Sequence, residues 1–540
     1  MKKFGFIFVA AFVWLLFLVG VQYFIQASLT FHSPAILFYG VAFFVGLAGI
    51  VSIYNSVFYN DEIEDIFVWV SWIIPIVIFV LIVLFGLTGS TIFNAKRYST
   101  IIEIQEGVFA EEIPNADSVA IMDQETARVI GSRVMGEIDD VSQYNISGEY
   151  NMIVYQGETY RVSPLEYASE IKALDHIGVS GYVLVNCTTQ EAKLVKLDGK
   201  MMYTPSSVFS YDLTRHIRKS YPSALLGKAQ FEIDEEGKPF YIVPIYKTTI
   251  GLYGGKVLDK VLVVNTIDGK IDEYSRDNIP DWIEHADSID HLAEITSDNL
   301  KYKDGFWNSF ISQKNVKTLS YNYRSSEGGF KGYSSVRTNN GIEYFTGVTS
   351  VNADESILGF MFMNPKSGKV TMYNCVGAEE SSAMESAEAL VQNYGYKASY
   401  PFIVNVNGIE TYLVALKDKT GTNKSYSLVN VKNYTISTQA STKEEAIMQY
   451  INIMDKIDIS NSNTTSEIEV VNEKVTGKII AIYNVSEEGT TYFYYTLEGH
   501  DELFVSSILN DRNQVKLKIG DTITVDGSMK DGYYLVKSIE

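Results

Sequence analysis

The chain has 540 residues, which is enough for three or four domains with their own apolar cores. Its formal net charge at pH 7 is −21, and because the eight charged residues before Tyr98 sum to zero, the acidic excess lies in residues 98–540. A body this acidic repels phosphate backbones, which argues against nucleic acid as a partner.

The first 97 residues contain three long apolar segments, residues 4–25, 34–58 and 66–93. Each is long enough to cross a hydrocarbon core of roughly 30 Å as a helix. None contains a charged residue or a histidine, so the usual mark of an ion or proton pathway is missing. The pattern predicts three transmembrane helices in contact with membrane lipid. The first should be retained as an anchor, because two more follow it directly.

Equal numbers of basic residues flank the membrane segments at their two ends: Lys2 and Lys3 precede the first segment, and Lys96 and Arg97 follow the third. An odd number of spans places the amino terminus and the body on opposite sides of the membrane. Because the first helix usually dominates orientation, we expect a cytoplasmic amino terminus and an extracytoplasmic body at the plasma membrane. A cytoplasmic body is the alternative.

Residues 98–149 form a juxtamembrane segment. Asp123 is suited to cap a helix whose first turn contains Glu125, and residues 119–122 are expected to form a short strand. We expect this segment to dock the following modules near the bilayer.

The order of elements in residues 150–275 is repeated in residues 336–460. The stretch GYVLVN at residues 181–186 corresponds to GFMFMN at residues 359–364. Each copy then has a helix, a hairpin with Gly- and Asn- or Asp-containing turns, and a Val-rich strand that ends in Asn. The serine pairs that are expected to open the two helices are Ser206 with Ser207 and Ser381 with Ser382. We predict two tandem α+β modules, each an antiparallel sheet with a helix.

The end of the first copy, Val261-Leu-Val-Val-Asn-Thr-Ile-Asp-Gly-Lys-Ile271, resembles the last hairpin of the PepSY domain. The resemblance covers residues 206–274 and extends more faintly to 381–438. It implies a non-enzymatic, membrane-linked and extracytoplasmic protein, of a kind linked to the restraint of peptidases. The whole chain also resembles a group of bacterial membrane proteins without an assigned activity.

Residues 276–335 separate the two modules. The sequence IPDWI at residues 279–283 is typical of a helix start, and residues 320–335 have the composition of a flexible loop. Between them lies the densest group of possible metal ligands: Glu284, His285, Asp287, Asp290 and His291. The two histidines are six residues apart and would not share a helix face. We interpret the group as solvated charge on a surface helix.

A polar linker at residues 461–466 leads into the last domain, residues 467–540. Five short strands are predicted there, at residues 475–481, 491–497, 502–506, 522–525 and 533–538. Their spacing and glycine turns predict a small closed barrel that resembles an OB-fold, although an SH3-like barrel or an open sandwich fits nearly as well. The aromatic run YFYY at residues 492–495 is expected to fill the interior rather than to stack a ligand.

Two short motifs suggest phosphate chemistry but lack the context that it requires. Asp418-Lys-Thr-Gly-Thr422 matches the phosphorylation motif of P-type ATPases, yet three spans are too few and the motif falls in the turn of an antiparallel hairpin. Gly251-Leu-Tyr-Gly-Gly-Lys256 resembles a phosphate loop, yet Val257 stands where a hydroxyl residue should hold magnesium. We interpret both as turns between strands.

The remaining reactive or charged groups have ordinary interpretations. Cys187 and Cys375 are too few for a disulfide framework and are expected to be buried and free, with one bridge between them left open. Arg215, Arg218 and Lys219 form a rare basic cluster beside Asp212 and His216. An exposed helix face is the expectation for this cluster, with an acidic partner or an anionic surface as the alternative.

The sequence therefore predicts a membrane plus α+β protein. Its expected domains are residues 1–97, 98–149, 150–275, 276–335, 336–460 and 467–540. No catalytic, cofactor-binding or metal-binding residue is predicted. The favoured function is a non-enzymatic, membrane-anchored binding or scaffold protein that binds a protein, a peptide or an envelope polymer. The alternative is an envelope hydrolase with its site between the two modules.

Overall fold

The computed structural model describes residues 2–58, 62–138, 140–175, 178–320, 332–351, 356–462, 473–487, 490–500, 502–507, 512–530 and 533–539. Most of the loop expected at residues 320–335 and of the linker expected at residues 461–466 lies outside the described residues. The chain divides into two compact units, Met1–Asn452 and Ile453–Glu540.

Three N-terminal stretches are helical, long enough and apolar enough to cross a membrane, at Phe6–Ile25, Pro34–Ser56 and Val68–Tyr98. The three predicted long apolar helices are therefore confirmed. The helices of the described residues are α1 (Lys2–Ile25), α2 (Pro34–Phe58), α3 (Glu62–Thr88), α4 (Thr91–Tyr98), α5 (Phe109–Glu112), α6 (Gln124–Gly131), α7 (Glu170–Asp175), α8 (Leu213–Ser220), α9 (Ile289–Tyr302), α10 (Glu380–Leu390) and α11 (Lys443–Ser462).

A first α+β segment follows the membrane region and contains two antiparallel sheets. Strand β1 (Ile104–Glu106) precedes it and belongs to a later sheet. The strands of the first segment are β2 (Tyr144–Ile146), β3 (Asn151–Tyr155), β4 (Glu158–Tyr167), β5 (Val179–Asn186), β6 (Ala192–Met201), β7 (Leu225–Leu226), β8 (Gln230–Ile233), β9 (Pro239–Ile250), β10 (Gly254–Asn265) and β11 (Ile271–Tyr274).

A second α+β segment also contains two sheets. Its strands are β12 (Lys317–Leu319), β13 (Ser334–Thr338), β14 (Gly341–Ser350), β15 (Ser356–Met363), β16 (Val370–Ala378), β17 (Lys397–Ala398), β18 (Phe402–Val406), β19 (Ile409–Lys417), β20 (Asn423–Asn430) and β21 (Ser437–Ala440). We call these two parts of the chain the first half and the second half of the body.

The two halves have the same strand order. The first sheet of each runs β2-β4-β5-β6 or β12-β14-β15-β16, with β3 or β13 paired to the long second strand. The second sheet runs β7-β9-β10-β11 or β17-β19-β20-β21, with β8 or β18 paired to β9 or β19. Helix α8 or α10 lies between the two sheets in the chain. The halves differ at one edge, where β1 pairs in parallel with β16.

Corresponding glycines mark an irregularity in each first sheet. The register shifts at Gly181 between β5 and β6 and at Gly359 between β15 and β16. A Cβ atom on either glycine would clash with a carbonyl oxygen of the neighbouring strand, that of Val195 or of Tyr373. Glycine is required at both places because the backbones approach so closely.

The predicted helix starts are partly wrong. Asp123 caps α6 as expected, because its carboxylate accepts the Thr126 N–H at 2.7 Å. The helix expected after Ser206 and Ser207 begins later, because Asp212 rather than a serine accepts a first-turn N–H, that of Arg215 at 2.7 Å. Residues 119–122, expected as a strand, have no regular secondary structure.

The basic cluster of α8 contacts the membrane region instead of forming an open face. Arg218 donates to the carbonyl oxygen of Gln26 at 3.1 Å, and the Arg215 guanidinium lies 4.2 Å from the centre of the Tyr23 ring. Both partners lie at the carboxyl end of α1, where unpaired carbonyls favour cations. Lys219 is exposed. The expectation of an ordinary exposed face is therefore wrong for the two arginines.

The second unit contains a closed five-stranded barrel in the order β22-β23-β24-β26-β25. Its strands are β22 (Glu473–Glu487), β23 (Thr490–Leu497), β24 (Leu503–Ser507), β25 (Thr522–Lys530) and β26 (Tyr533–Ile539). All five predicted strands are present, and β24 pairs in parallel with β26. Phe493 and Tyr495 are buried in the barrel core, as expected of alternate residues in the aromatic run.

We predict that Gly181→Ala lowers the free energy of unfolding by about 1–3 kcal/mol, because the new methyl group displaces the β6 backbone. Gly359→Ala should have an effect of similar size, since the same clash recurs there. Thermal unfolding in detergent micelles measures both. Gly136→Ala is the matched control, because a Cβ atom there meets nothing within 4 Å. Equal stability of Gly181→Ala and Gly136→Ala would contradict the prediction.

Candidate functional site

A cleft of about 170 Å³ lies between the two halves of the body. Strands β4 and β8 contribute to it from the first half and β13 and β14 from the second, while the starts of α6 and α9 complete the wall. Its lining is polar and aromatic. The residues used below are Arg161, Lys228, His285, Asp290, Tyr333, Ser335 and Tyr344.

The Glu232 carboxylate, fully buried in β8, holds His285, which lines the cleft. One oxygen accepts the Glu284 N–H at 2.9 Å, and the other accepts the His285 N–H at 2.7 Å. The Nδ1 atom of His285 lies 2.8 Å from the second oxygen. Three hydrogen bonds thus satisfy a buried acid that would otherwise carry a large desolvation cost.

His285 joins this acid to the second half. Its Nε2 atom lies 2.8 Å from the hydroxyl of Tyr344 in β14. In the neutral tautomer that donates from Nδ1 to the carboxylate, Nε2 accepts from the tyrosine O–H. Burial raises the pKa of Tyr344, so the phenol keeps its proton. The chain Glu232–His285–Tyr344 therefore connects the halves and ends at the cleft.

The guanidinium of Arg161 in β4 is a cation close to the hydrogen-bonded series Glu232–His285–Tyr344. Its guanidinium is buried and donates to the carbonyl oxygens of Met122 and Tyr150 and to the Ser335 hydroxyl, at 2.6–3.1 Å. In the part of the chain that the structure describes, no carboxylate forms an ion pair with it. A buried guanidinium held by neutral oxygens retains its positive charge and can attract an anionic group in the cleft.

Arg161 and Tyr344 occupy corresponding positions in the two halves. Arg161 pairs with Val185, the residue before Asn186, and Tyr344 pairs with Met363, the residue before Asn364. By this register Arg161, and not its neighbour Tyr160, corresponds to Tyr344. The cleft therefore forms where equivalent strands of the two halves meet.

A second buried group lies beside the first. The Asp287 carboxylate accepts from the Tyr246 hydroxyl and from Arg276, each at 2.8 Å, and lies 3.0 Å from Nδ1 of His291. Burial alone would lower the pKa of His291, but the hydrogen bond and charge of Asp287 raise it overall. This group fixes the start of α9 against β9 and β10.

The interpretation of Glu284, His285, Asp287 and His291 as solvated surface charge is wrong, since all four are buried. The helix expected from Ile279 begins at Ile289, because the N–H groups of Glu284 and His285 are held by Glu232. Among the described residues, no cluster of three or more His, Cys, Asp or Glu side chains could hold a metal ion.

The two motifs that suggest phosphate chemistry lie in hairpin turns, as expected. Asp418 follows β19, and hydrogen bonds from Thr420 and Thr422 lower the pKa of its carboxyl. Gly251 joins β9 to β10 with φ near +60°, and its backbone packs against Gly89 at the end of α3. Neither turn lies at the cleft.

Both cysteines are free and buried. Burial raises the pKa of each thiol to about 12, so neither is a reactive thiolate at neutral pH.

Sequence reasoning named His285 but missed Glu232, Arg161 and Tyr344. The signal available was an acid next to apolar residues in β8 and an arginine that precedes a valine in β4, both in strands whose side chains are largely buried. What the sequence does not contain is their convergence, which depends on how the halves pack.

No protein-family model matches the chain, and a search of the curated proteins finds no match. The structure defines the class in coarse terms. It is a protein with three helices suited to span a membrane, followed by a mixed α+β body of several sheets.

We predict that the stability lost in His291→Gln depends on pH. A folded pKa above the unfolded value means that the protonated imidazole stabilises the fold. This contribution is complete below about pH 6.5 and is lost as the pH rises through the raised folded pKa. Arg276, Asp287 and Glu294 are the charged groups that face it. Thermal unfolding should show a larger difference from wild type at pH 5.5 than at pH 9, and an equal difference would contradict the assignment.

Proposed function

We propose that this chain is a membrane-anchored binding or scaffold protein without catalytic activity, and that its partner contacts the cleft between the two halves. The observation that carries the proposal is the composition of the cleft. A buried cation, Arg161, lies beside Tyr333, Tyr344 and the half-exposed Lys228. The cleft is also lined by Asp123, Glu125, Glu149 and Asp290. Aromatic faces with charges of both signs suit a polar protein or peptide segment, whose acidic side chain or terminal carboxylate would lie at Arg161.

We further propose that the halves are tandem copies of one PepSY-like module and that the barrel is OB-like. Their shared strand order and the equivalent glycines Gly181 and Gly359 support duplication. The barrel order, with a parallel contact between its third and fifth strands, supports the OB-like assignment. An extracytoplasmic body at the plasma membrane of a bacterium remains part of the proposal, with an envelope protein, peptide or polymer as the partner.

One observation favours the alternative function, an envelope hydrolase. Glu232, His285 and Tyr344 have the acid–histidine–hydroxyl order of a nucleophilic relay, within hydrogen-bond distance of one another. One feature opposes it. Burial raises the pKa of the Tyr344 phenol, which disfavours the phenolate that would attack a substrate. A connecting role is therefore the better account of the relay.

The cleft and the orientation can be tested together with a membrane-impermeant maleimide that carries a photocrosslinker. Because both native thiols are buried, Lys228→Cys at the cleft rim introduces the one exposed thiol of this chain, and the chain without the substitution is the background control for labelling. Lys432→Cys is the matched control, since Lys228 and Lys432 are 42% and 63% exposed and each pairs with a glutamate. We expect both variants to be labelled and only Lys228→Cys to crosslink a partner.

Two other outcomes would contradict parts of the proposal. Labelling only after permeabilisation places the body in the cytoplasm and contradicts the proposed orientation. Equal crosslinking from both positions contradicts the cleft as the binding site.

We predict that the purified chain hydrolyses p-nitrophenyl esters no faster than His285→Gln or Tyr344→Phe does. A relay that acts as nucleophile and base should lose roughly 10²–10⁴-fold in rate in either variant. A loss of this size, with thermal unfolding within a few degrees of wild type, would establish the hydrolase instead.

A further inference from the structure

The outer edge of β16 in the second half is covered by an extended segment of the chain itself. Strand β1 lies parallel to it, with Ile104, Gln105 and Glu106 opposite Val370, Thr371 and Met372. The Gly107 N–H continues the pairing by donating to the Met372 carbonyl oxygen at 3.0 Å. The body therefore already uses strand addition at this edge.

The corresponding edge in the first half is β6. Val185 pairs with Ala192 as Met363 pairs with Val370, so Ala192, Lys193 and Leu194 correspond to the three residues that β1 covers. Within the described residues, no strand pairs with β6 besides β5. Among the residues that the structure describes, one edge is thus paired with an added strand and the equivalent edge is not.

The alternation of the ladder shows which backbone groups point outward. Asn186 donates to the Glu191 carbonyl oxygen at 2.9 Å, so that pair and the pair of Leu184 with Lys193 are hydrogen-bonded. The N–H and C=O groups of Ala192 and Leu194 then point away from β5. Met372, which corresponds to Leu194, has its carbonyl bonded to Gly107 in the same outward direction.

The side chains of this edge indicate what kind of strand fits. Ala192 and Leu194 are half-buried at the margin of the apolar core, while Lys193 between them is exposed on the opposite face. An added strand in the register of β1 would place its residues beside these three on the same faces. Apolar residues would extend the core, and an acidic residue would lie beside Lys193.

We propose that the β6 edge binds an extended segment of a partner protein, parallel to β6, with an apolar–acidic–apolar sequence opposite Ala192, Lys193 and Leu194. The proposal rests on the binding function proposed above but not on the cleft. It adds a mode of recognition in which backbone hydrogen bonds supply affinity and Lys193 supplies selectivity.

The test uses the full chain in lipid nanodiscs and two fluorescent peptides that correspond to residues 99–107. Both carry Glu106→Val, which places an apolar residue opposite Leu194, and they differ in carrying Gln105→Glu or Gln105→Lys. Fluorescence anisotropy should show that the Glu peptide binds wild type about threefold more tightly than the Lys peptide. The preference should reverse in Lys193→Glu. Lys200→Glu, an exposed lysine on the same strand outside the proposed register, is the matched control and should leave the preference unchanged.

Ala192→Pro tests the backbone contribution, because proline removes an outward N–H and leaves the β5 ladder intact. It should weaken both peptides by roughly tenfold. Binding that survives Ala192→Pro, or a preference that does not reverse in Lys193→Glu, overturns the proposal. So does the lack of saturable binding up to about 1 mM, in which case the edge lysine only protects against aggregation. Modification of Lys228→Cys should leave peptide binding unchanged, which separates a failure here from a failure of the cleft.

Discussion

The arrangement of the body depends on how one buried charge is satisfied. Glu232 sits in a strand of the first half, and its three donors come from the segment that connects the halves. Without these donors the buried carboxylate would destabilise the fold by roughly several kcal/mol. The connecting segment is therefore held in the one conformation that supplies them. Through His285 the same interaction reaches Tyr344 in the second half. The cleft exists because these bonds fix where the two sheets meet.

A second constraint holds the first half against the membrane region. The connection between α1 and α2 contacts the body through Ser28, whose hydroxyl donates to the carbonyl oxygens of Ser223 and Ala224. At the end of α4, Arg97 donates to the carbonyl oxygen of Thr249 at 2.8 Å. Ser28 follows the first apolar helix and Arg97 lies at the end of the third apolar stretch, so both contacts join the membrane region to the first half. The first half is therefore anchored directly, whereas the second half is held through the cleft and the juxtamembrane strand β1.

Local signals in the sequence were enough to predict elements whose structure is decided locally. The apolar spans, the turns at Gly237 and Gly408 and the cap at Asp123 follow from hydropathy, positive φ and side-chain capping. The start of α9 could not be predicted in this way, because the N–H groups of Glu284 and His285 bond to a carboxylate some fifty residues away. The cleft residues could not be predicted from the sequence for the same reason. A dense acidic and histidine-rich stretch is typical of a solvated surface unless a distant strand supplies partners.

The two halves differ at the position of Glu232, and this difference indicates the role of the buried carboxylate. The strand register shows which residue of the second half corresponds to Glu232. In the first half, Asn265 pairs with Phe240, and Phe240 pairs with Glu232. In the second half, Asn430 pairs with Thr411, and Thr411 pairs with Val404, which is therefore the counterpart of Glu232. Val404 is fully buried and apolar. Since the second half forms the same strand order with valine at this position, the fold does not need the carboxylate. The acid instead acts between the halves, where it orders the connecting segment and orients His285. The module itself does not require this carboxylate, which holds His285 at the wall of the cleft. The carboxylate is better explained by the connection between the halves and the surface that it shapes than by the stability of either half.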